Sequence, residues 1–223
     1  MSPPSVTETA SARVLLFGGR RLPRILRDLP VDRVEESDAV RTLVDGLPDT
    51  PTRLIVVGAD GDLGQVLTRL MRADRLDTEV GFVPDRRSRA RRIYRIGPGA
   101  ARRARKGQAH RVPLIRDDTG TALAGRASWQ SSDGNAVTGE ATVDDTLLFD
   151  GTALVDVEPT ESMPGLRASV RGRTWPLPRR WVTGRAAQLG TVGAIVVRDG
   201  VAGPRPVPRS TFYRHQHSWW LVR

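Results

Sequence analysis

Between residues 54 and 63 the chain reads Leu-Ile-Val-Val-Gly-Ala-Asp-Gly-Asp-Leu, an apolar run that breaks on Gly58, Ala59, Asp60, Gly61 and Asp62. Backbone N–H groups bared by such a turn, where a helix opens, form a receptor for phosphate, because orphan donors and the helix dipole both favour negative charge there. Asp60 and Asp62 add two carboxylates. These repel phosphate unless a divalent cation stands between them. The same Gly/Asp turn also serves as an ordinary strand-to-helix connection, and spacing alone leaves both readings open.

Arg86, Arg87, Ser88 and Arg89 begin a second notable segment. Residues 86–111 hold eleven basic side chains and no acid, while the whole chain carries a net charge of +10. A polyanion or an anionic membrane surface is the natural partner of such a field. Lys106 is the only lysine, and a preference for Arg over Lys is also what a GC-rich genome produces.

The chain has no cysteine, which excludes disulfides, thiolate catalysis and Cys-based metal sites. Three histidines are too few for an evident metal site, and His215 and His217 suit a solvent-facing strand pair. No run approaches the roughly 18 apolar residues of a membrane span, and the first ten residues carry no basic and apolar signal-peptide pattern. A cytoplasmic protein is expected, touching the inner face of a membrane from outside if at all.

The elements that must position these residues follow from periodicity. Residues 12–17 form a buried-strand run closed by Gly18 and Gly19, and apolar residues at 22, 25, 26 and 29 share a helical face. Ser37 can cap a helix over residues 38–47, and residues 52–57 read as a strand buried on both faces. After the Gly58 turn, Leu63, Val66, Leu67, Leu70 and Met71 recur at helical spacing, and residues 79–83 give a strand ended by Pro84. The order is β, α, α, β, α, β, a small three-layer α/β lobe whose ligands belong at the carboxyl ends of the strands.

Beyond residue 107 the composition turns to short Val, Thr, Leu and Trp runs cut by Gly, Asp and Pro. Strands are expected at 112–115, 121–129, 140–143, 152–158, 166–170, 185–189, 194–198 and 218–222, with turns at Asp133-Gly134, Asp150-Gly151 and Asp199-Gly200. The expected division is a disordered leader at 1–11, an α/β nucleotide-binding-like lobe at 12–107 and a β-sandwich-like lobe at 108–223.

The run at Gly58 resembles the Gly-Gly-Asp-Gly-Thr signature of the diacylglycerol, sphingosine and NAD kinase superfamily. The order of elements over roughly residues 52–202 agrees, and Val196-Val-Arg-Asp199-Gly200 resembles the Asp-Gly-Glu element of that family's second lobe. The resemblance implies an ATP and Mg²⁺ site at residues 58–62 and 86–89, with Asp60 and Asp62 toward the metal and Asp60 and Asp199 as catalytic carboxylates. It departs at Ala59, Asp62, Asp85-Arg-Arg-Ser88, Gly18-Gly19 and Val201, where the family has Gly, Thr, a Gly-Thr-x-Asn turn, Asn-Pro and Glu respectively. Asp199 before Gly200 also suits a plain turn.

These losses favour a protein that binds a nucleotide or an anionic phospholipid without efficient phosphotransfer over an active lipid kinase. Nucleic-acid binding by residues 86–111 ranks behind both. Two aromatic stretches remain. The run 209–220 has the composition of a single-strand nucleic-acid surface, but suits better a closing hairpin with Phe212 and Trp220 in the sandwich. Trp175-Pro-Leu-Pro-Arg-Arg-Trp181 reads as a Pro-stiffened loop with inward tryptophans.

Overall fold

The computed structural model describes residues 11–35, 37–50, 52–172 and 179–223. Its first half runs β1 (Ser11–Phe17), a 3₁₀ turn (Arg24–Leu26), β2 (Val31–Val34), α1 (Ser37–Asp45), β3 (Thr52–Gly58), α2 (Asp60–Arg72), β4 (Glu79–Pro84), α3 (Arg89–Ile93) and α4 (Ala100–Lys106). The second half is all strand: β5 (Ala109–Val112), β6 (Ile115–Asp117), β7 (Ala122–Leu123), β8 (Ala127–Gln130), β9 (Val137–Val143), β10 (Thr146–Ala153), β11 (Val155–Pro159), β12 (Leu166–Val170), β13 (Val182–Gly184), β14 (Ala186–Arg198), β15 (Val201–Ala202), β16 (Val207–Arg214) and β17 (Trp219–Val222).

The first sheet has the order β2-β1-β3-β4-β17-β5, with β2, β1, β3, β4 and β17 parallel and β5 antiparallel to β17. Strand β3 is buried along nearly its whole length, as a strand with helices on both faces must be. Helices α1 and α2 cover one face through Val40, Val44, Leu63, Val66, Leu67 and Leu70. The 3₁₀ turn and α4 cover the other, with Leu26 and Ala104 against Val14, Leu16, Ile55 and Val57.

The second sheet system turns on β14. Its first half pairs with β16 and β9, its second half with β8 and β15, and an irregularity between Gly190 and Ala194 separates them. One strand thus belongs to two layers, which enclose Trp129, Val155, Val157, Leu166, Leu189 and Phe212. This is the two-lobe α/β plus sandwich arrangement expected.

Several boundaries differ from expectation. Residues 22–29 form only a three-residue 3₁₀ turn, because Pro23 and Pro30 bracket a segment too short to propagate a helix. Strand β2 lies there unannounced, a four-residue edge strand with Asp32 and Arg33 inside it. The division after residue 107 is displaced, since β5 and the chain's last strand β17 both join the first sheet. Of the adjacent pair it is Trp219, not Trp220, that is fully buried, and it packs edge-on against Tyr94 in the first lobe, 5.4 Å between centroids, rather than in the sandwich. Asp150-Gly151 lies within β10, and the hairpin turns at Asp144 and Asp145, outside that strand. Residues 185–189 and 194–198 belong to one long strand. Of the leader expected at 1–11, residues 1–10 lie outside the described residues and Ser11 opens β1; Trp175 also lies outside them.

Candidate functional site

Register places the loops. Gly58 at the end of β3 pairs with Pro84 at the end of β4, and Leu16 of β1 pairs with Val57, so the turns after β1, β3 and β4 open side by side. The chain leaves β1 toward β2 on one side and returns through α1 to β3 on the other. Such a reversal creates a crevice at the carboxyl edge of a parallel sheet.

Asp60 begins α2, and its carboxylate reaches across to the start of α3. Ser88 Oγ donates to Asp60 Oδ1 in a short hydrogen bond, and the N–H groups of Arg89 (2.6 Å) and Ala90 (3.2 Å) donate to Oδ2. Ser88 itself caps α3, its Oγ accepting from Arg91 N–H at 2.9 Å. A carboxylate has about four lone-pair directions, so three bonds leave Asp60 one for a further partner such as a cation.

Asp199 comes to the same place from the far lobe. It sits with Gly200 in a tight turn after β14, both residues at positive φ (49° and 90°), the backbone of a type I′ turn. Its Oδ1 accepts from the N–H groups of Gly125 and Arg126, both at 2.8 Å, and its Oδ2 from Ala124 at 3.1 Å. Burial pushes the Asp199 carboxyl up to about 6 against the pull of those three donors, and the charge of Asp60 pushes the same way. A methyl placed on Gly125 would lie 2.5 Å from Asp60 Oδ2 and 2.9 Å from Asp199 Oδ1. The two carboxylates therefore flank one glycine, which only a residue without a side chain can occupy.

Asp62 turns back on its own loop. Its Oδ2 accepts from Ala59 N–H at 2.7 Å and lies where a side chain on Gly58 would be, 2.5 Å from that position. Arg20, from the turn after β1, completes the fastening: its guanidinium lies 3.3 Å from Asp62 and 2.9 Å from Asp85, and donates to Phe17 O at 3.0 Å. Gly61 packs near Asp199, 3.9 Å from its Cβ to a methyl placed on Gly61. Arg86 and Arg87 are exposed and make no hydrogen bond or ion pair among the described residues. Arg89 instead leaves the crevice and pairs with the buried Glu158 of β11 at 2.5 Å.

Asp60 and Asp62 are thus engaged by different partners, and among the described residues no three His, Asp or Glu side chains converge as a metal cage. A Mg²⁺ ion here would take at most one carboxylate from Asp60 or Asp62, with the rest of its shell from phosphate and water. His215 and His217 lie in the turn after β16 with ring centroids 5.8 Å apart.

Residues 121–129, read from sequence as one strand, break at 124–126, and the break supplies the three donors to Asp199. An isolated glycine in a strand pattern signals close backbone approach, and Gly125 carried that signal. Nothing local announced Arg20, whose partners are 42 and 65 residues away in sequence.

A cleft of about 610 Å³ runs beside α2 between the lobes, lined by Gly61, Gly64, Gln65 and Thr68 on one side and Thr121, Arg198, Asp199 and Val201 on the other. Its far end is formed by Asp38, Arg41, Arg69 and Arg72.

No family model matches the chain, and no curated protein matches it by sequence. Solved structures do. A Bacillus anthracis str. Sterne protein assigned to the diacylglycerol kinases is 14% identical, over 98% of this chain and 98% of its own, with a TM-score of 0.73. An NAD kinase from Archaeoglobus fulgidus in complex with ATP is 11% identical over 95% and 93%, TM-score 0.56. A yeast NADH kinase complexed with NADH is 9% identical over 100% and 88%, TM-score 0.53. The fold is the two-lobe fold that these kinase structures share, the one the Gly58 loop and the order of elements imply.

Proposed function

We propose that this chain binds a phosphate ester, a nucleotide or an anionic phospholipid, in the crevice at Gly58–Asp62, and that phosphotransfer there is weak or absent. One observation carries the reading: the loop's own carboxylates occupy donors that a phosphate would otherwise use. Asp60 takes the N–H groups of Arg89 and Ala90, and Asp62 takes that of Ala59. What remains for a ligand is the opening of α2, whose first N–H groups have no intrahelical partner, with exposed Arg86 and Arg87 beside it.

Phosphoryl transfer depends on positioning and on neutralising the transferred group. A loop fastened by Arg20, Asp62 and Asp85 binds phosphate with little freedom to follow the reaction. The ATP-bound neighbour of the same fold supports a nucleotide as one candidate ligand.

The test is calorimetric titration of ATP with and without Mg²⁺, on the native protein and on Asp60→Ala. Saturable binding whose Mg²⁺ dependence disappears in Asp60→Ala, with an unchanged circular dichroism spectrum, is the expected result, since the substitution removes the carboxylate that faces a cation while freeing the Arg89 and Ala90 N–H groups. Mg²⁺-dependent affinity unchanged by the substitution overturns the loop assignment.

The approach of Asp60 and Asp199 favours a second reading, an ATP-dependent lipid kinase. A carboxylate titrating near 6 is suited to taking a proton from an alcohol at neutral pH. Asp199 would hold the acceptor hydroxyl and receive its proton, while Asp60 orients the phosphate side. Radiolabelled phosphate appearing in a lipid alcohol, and lost in Asp199→Asn, decides for this reading over the first.

A further inference from the structure

Strand β11 carries two acids, Asp156 and Glu158, on the face opposite Val155 and Val157, and both are fully buried. A buried carboxylate requires a cation, and two require two. Five surround them. Arg126 lies 3.0 Å from Glu158 and 3.3 Å from Asp156, Arg167 2.9 Å from Glu158, and Arg89 2.5 Å from Glu158. Arg171 and Arg179 lie 2.7 and 2.8 Å from Asp156. Five guanidiniums against two carboxylates leave three positive charges in excess.

This excess is held in place. Burial alone would raise the Asp156 carboxyl, but hydrogen bonds from Arg171 and Arg179 outweigh it and keep it below the ordinary carboxylate range. The guanidiniums of Arg167 and Arg179 both stack on Trp181, each 4.4 Å from its ring centroid, which fixes their planes. All five side chains remain 20–42% exposed, so their outer N–H groups reach solvent. Arg89 Nε is buried without a hydrogen-bond partner. Neutralising Asp156 and Glu158 accounts for two of the arginines; the other three repel one another unless an anion joins them.

We propose that this arginine platform on β11 is a binding site for a phosphate monoester dianion. Planar guanidiniums in a fixed fork match phosphate oxygens two at a time, and a doubly charged monoester answers the excess better than a diester. The platform adjoins the crevice: Arg126 follows Gly125, the residue flanked by Asp60 and Asp199. It goes beyond the loop reading, because its donors belong to the sandwich lobe except for Arg89. The monoester can come from a soluble phosphate ester or from the headgroup of a lipid such as phosphatidic acid.

The experiment uses the full chain labelled with ¹⁵N, titrated with inorganic phosphate and with glycerol 3-phosphate while the arginine Nε–H resonances are followed. Saturable shifts at Arg89, Arg126 and Arg167 are expected, with affinity falling about tenfold or more in Arg167→Gln/Arg171→Gln and unchanged in Arg205→Gln/Arg209→Gln, two exposed arginines outside both the platform and the crevice. Vesicles containing phosphatidic acid, compared with vesicles of equal charge made with phosphatidylglycerol, separate the sources: preferential co-sedimentation with the former assigns a lipid monoester, and equal sedimentation with retained phosphate shifts assigns a soluble one. Absence of Nε–H shifts in the native protein, or equal weakening in the Arg205 and Arg209 variant, overturns the proposal even if the platform variant fails to fold. Phosphate shifts retained in Asp60→Ala keep the platform standing should the nucleotide loop fail.

Discussion

At the scale of single residues, the informative pair is Asp60 and Asp199, which lie 139 positions apart and meet across Gly125. Asp199 binds its proton up to about pH 6 in the folded chain, against 3.8 for the ordinary carboxyl. Between those values the native state holds a proton that the unfolded chain has released, so stability from this group is complete below about pH 4 and is lost as pH rises through about 6. Each unit of separation is worth about 1.4 kcal/mol, so a loss of ~1–3 kcal/mol is expected across that window. Asp199→Asn removes the titration. It also sets an amide against one of three N–H donors, which lowers stability by a constant amount. The expected outcome is a flatter dependence of urea midpoint on pH between 4 and 6; a native-like slope in the variant would show that another group carries it.

At the scale of elements, α2 is what joins site to lobe. Gly64 lets the helix approach the second lobe closely, a methyl there lying 3.2 Å from Ala122 O, and Thr68 makes the fastening. Its Oγ1 accepts from Ala122 N–H at 2.9 Å and donates to Gly64 O at 2.7 Å. Thr68→Val keeps the shape and orphans the Ala122 N–H, so a cost of ~1–3 kcal/mol is expected in urea unfolding, with weakened ligand binding where the lobes meet. No change in either quantity would mean that the lobes are held elsewhere.

The elements also show what the sequence could carry. Strand β3, the Gly58 turn and α2 were legible because their buried residues recur at periods set by local geometry. Strand β17 was legible as a strand but not as a member of the first sheet, because its partners β4 and β5 lie more than 100 residues away. Asp60 and Asp199 were readable one at a time from their turns. Their meeting depends on β14 crossing two layers, and no spacing records that.

At the scale of the whole molecule, the question is where the positive charge goes. Residues 86–111 read as a uniform basic stretch, yet the fold brings acids from other segments to them. Arg89 pairs with Glu158, Arg95 with Glu161 at 2.9 Å, and Arg105 with Asp28 at 2.6 Å, while Arg111 stacks on Trp220. Arg86, Arg87, Arg92, Arg102 and Lys106 stay exposed and unpaired among the described residues. Within residues 86–111 these are the exposed charges free to meet an anionic surface, and each charge near such a surface contributes about 1 kcal/mol. Arg86→Gln/Arg87→Gln is therefore expected to weaken sedimentation with phosphatidylglycerol vesicles by about tenfold or more at low salt, with the difference shrinking as salt is raised. Arg105→Gln is expected to leave it nearly unchanged, because that charge is already answered by Asp28. If both variants lose vesicle binding equally, the attraction comes from net charge and not from a face built at the mouth of the crevice.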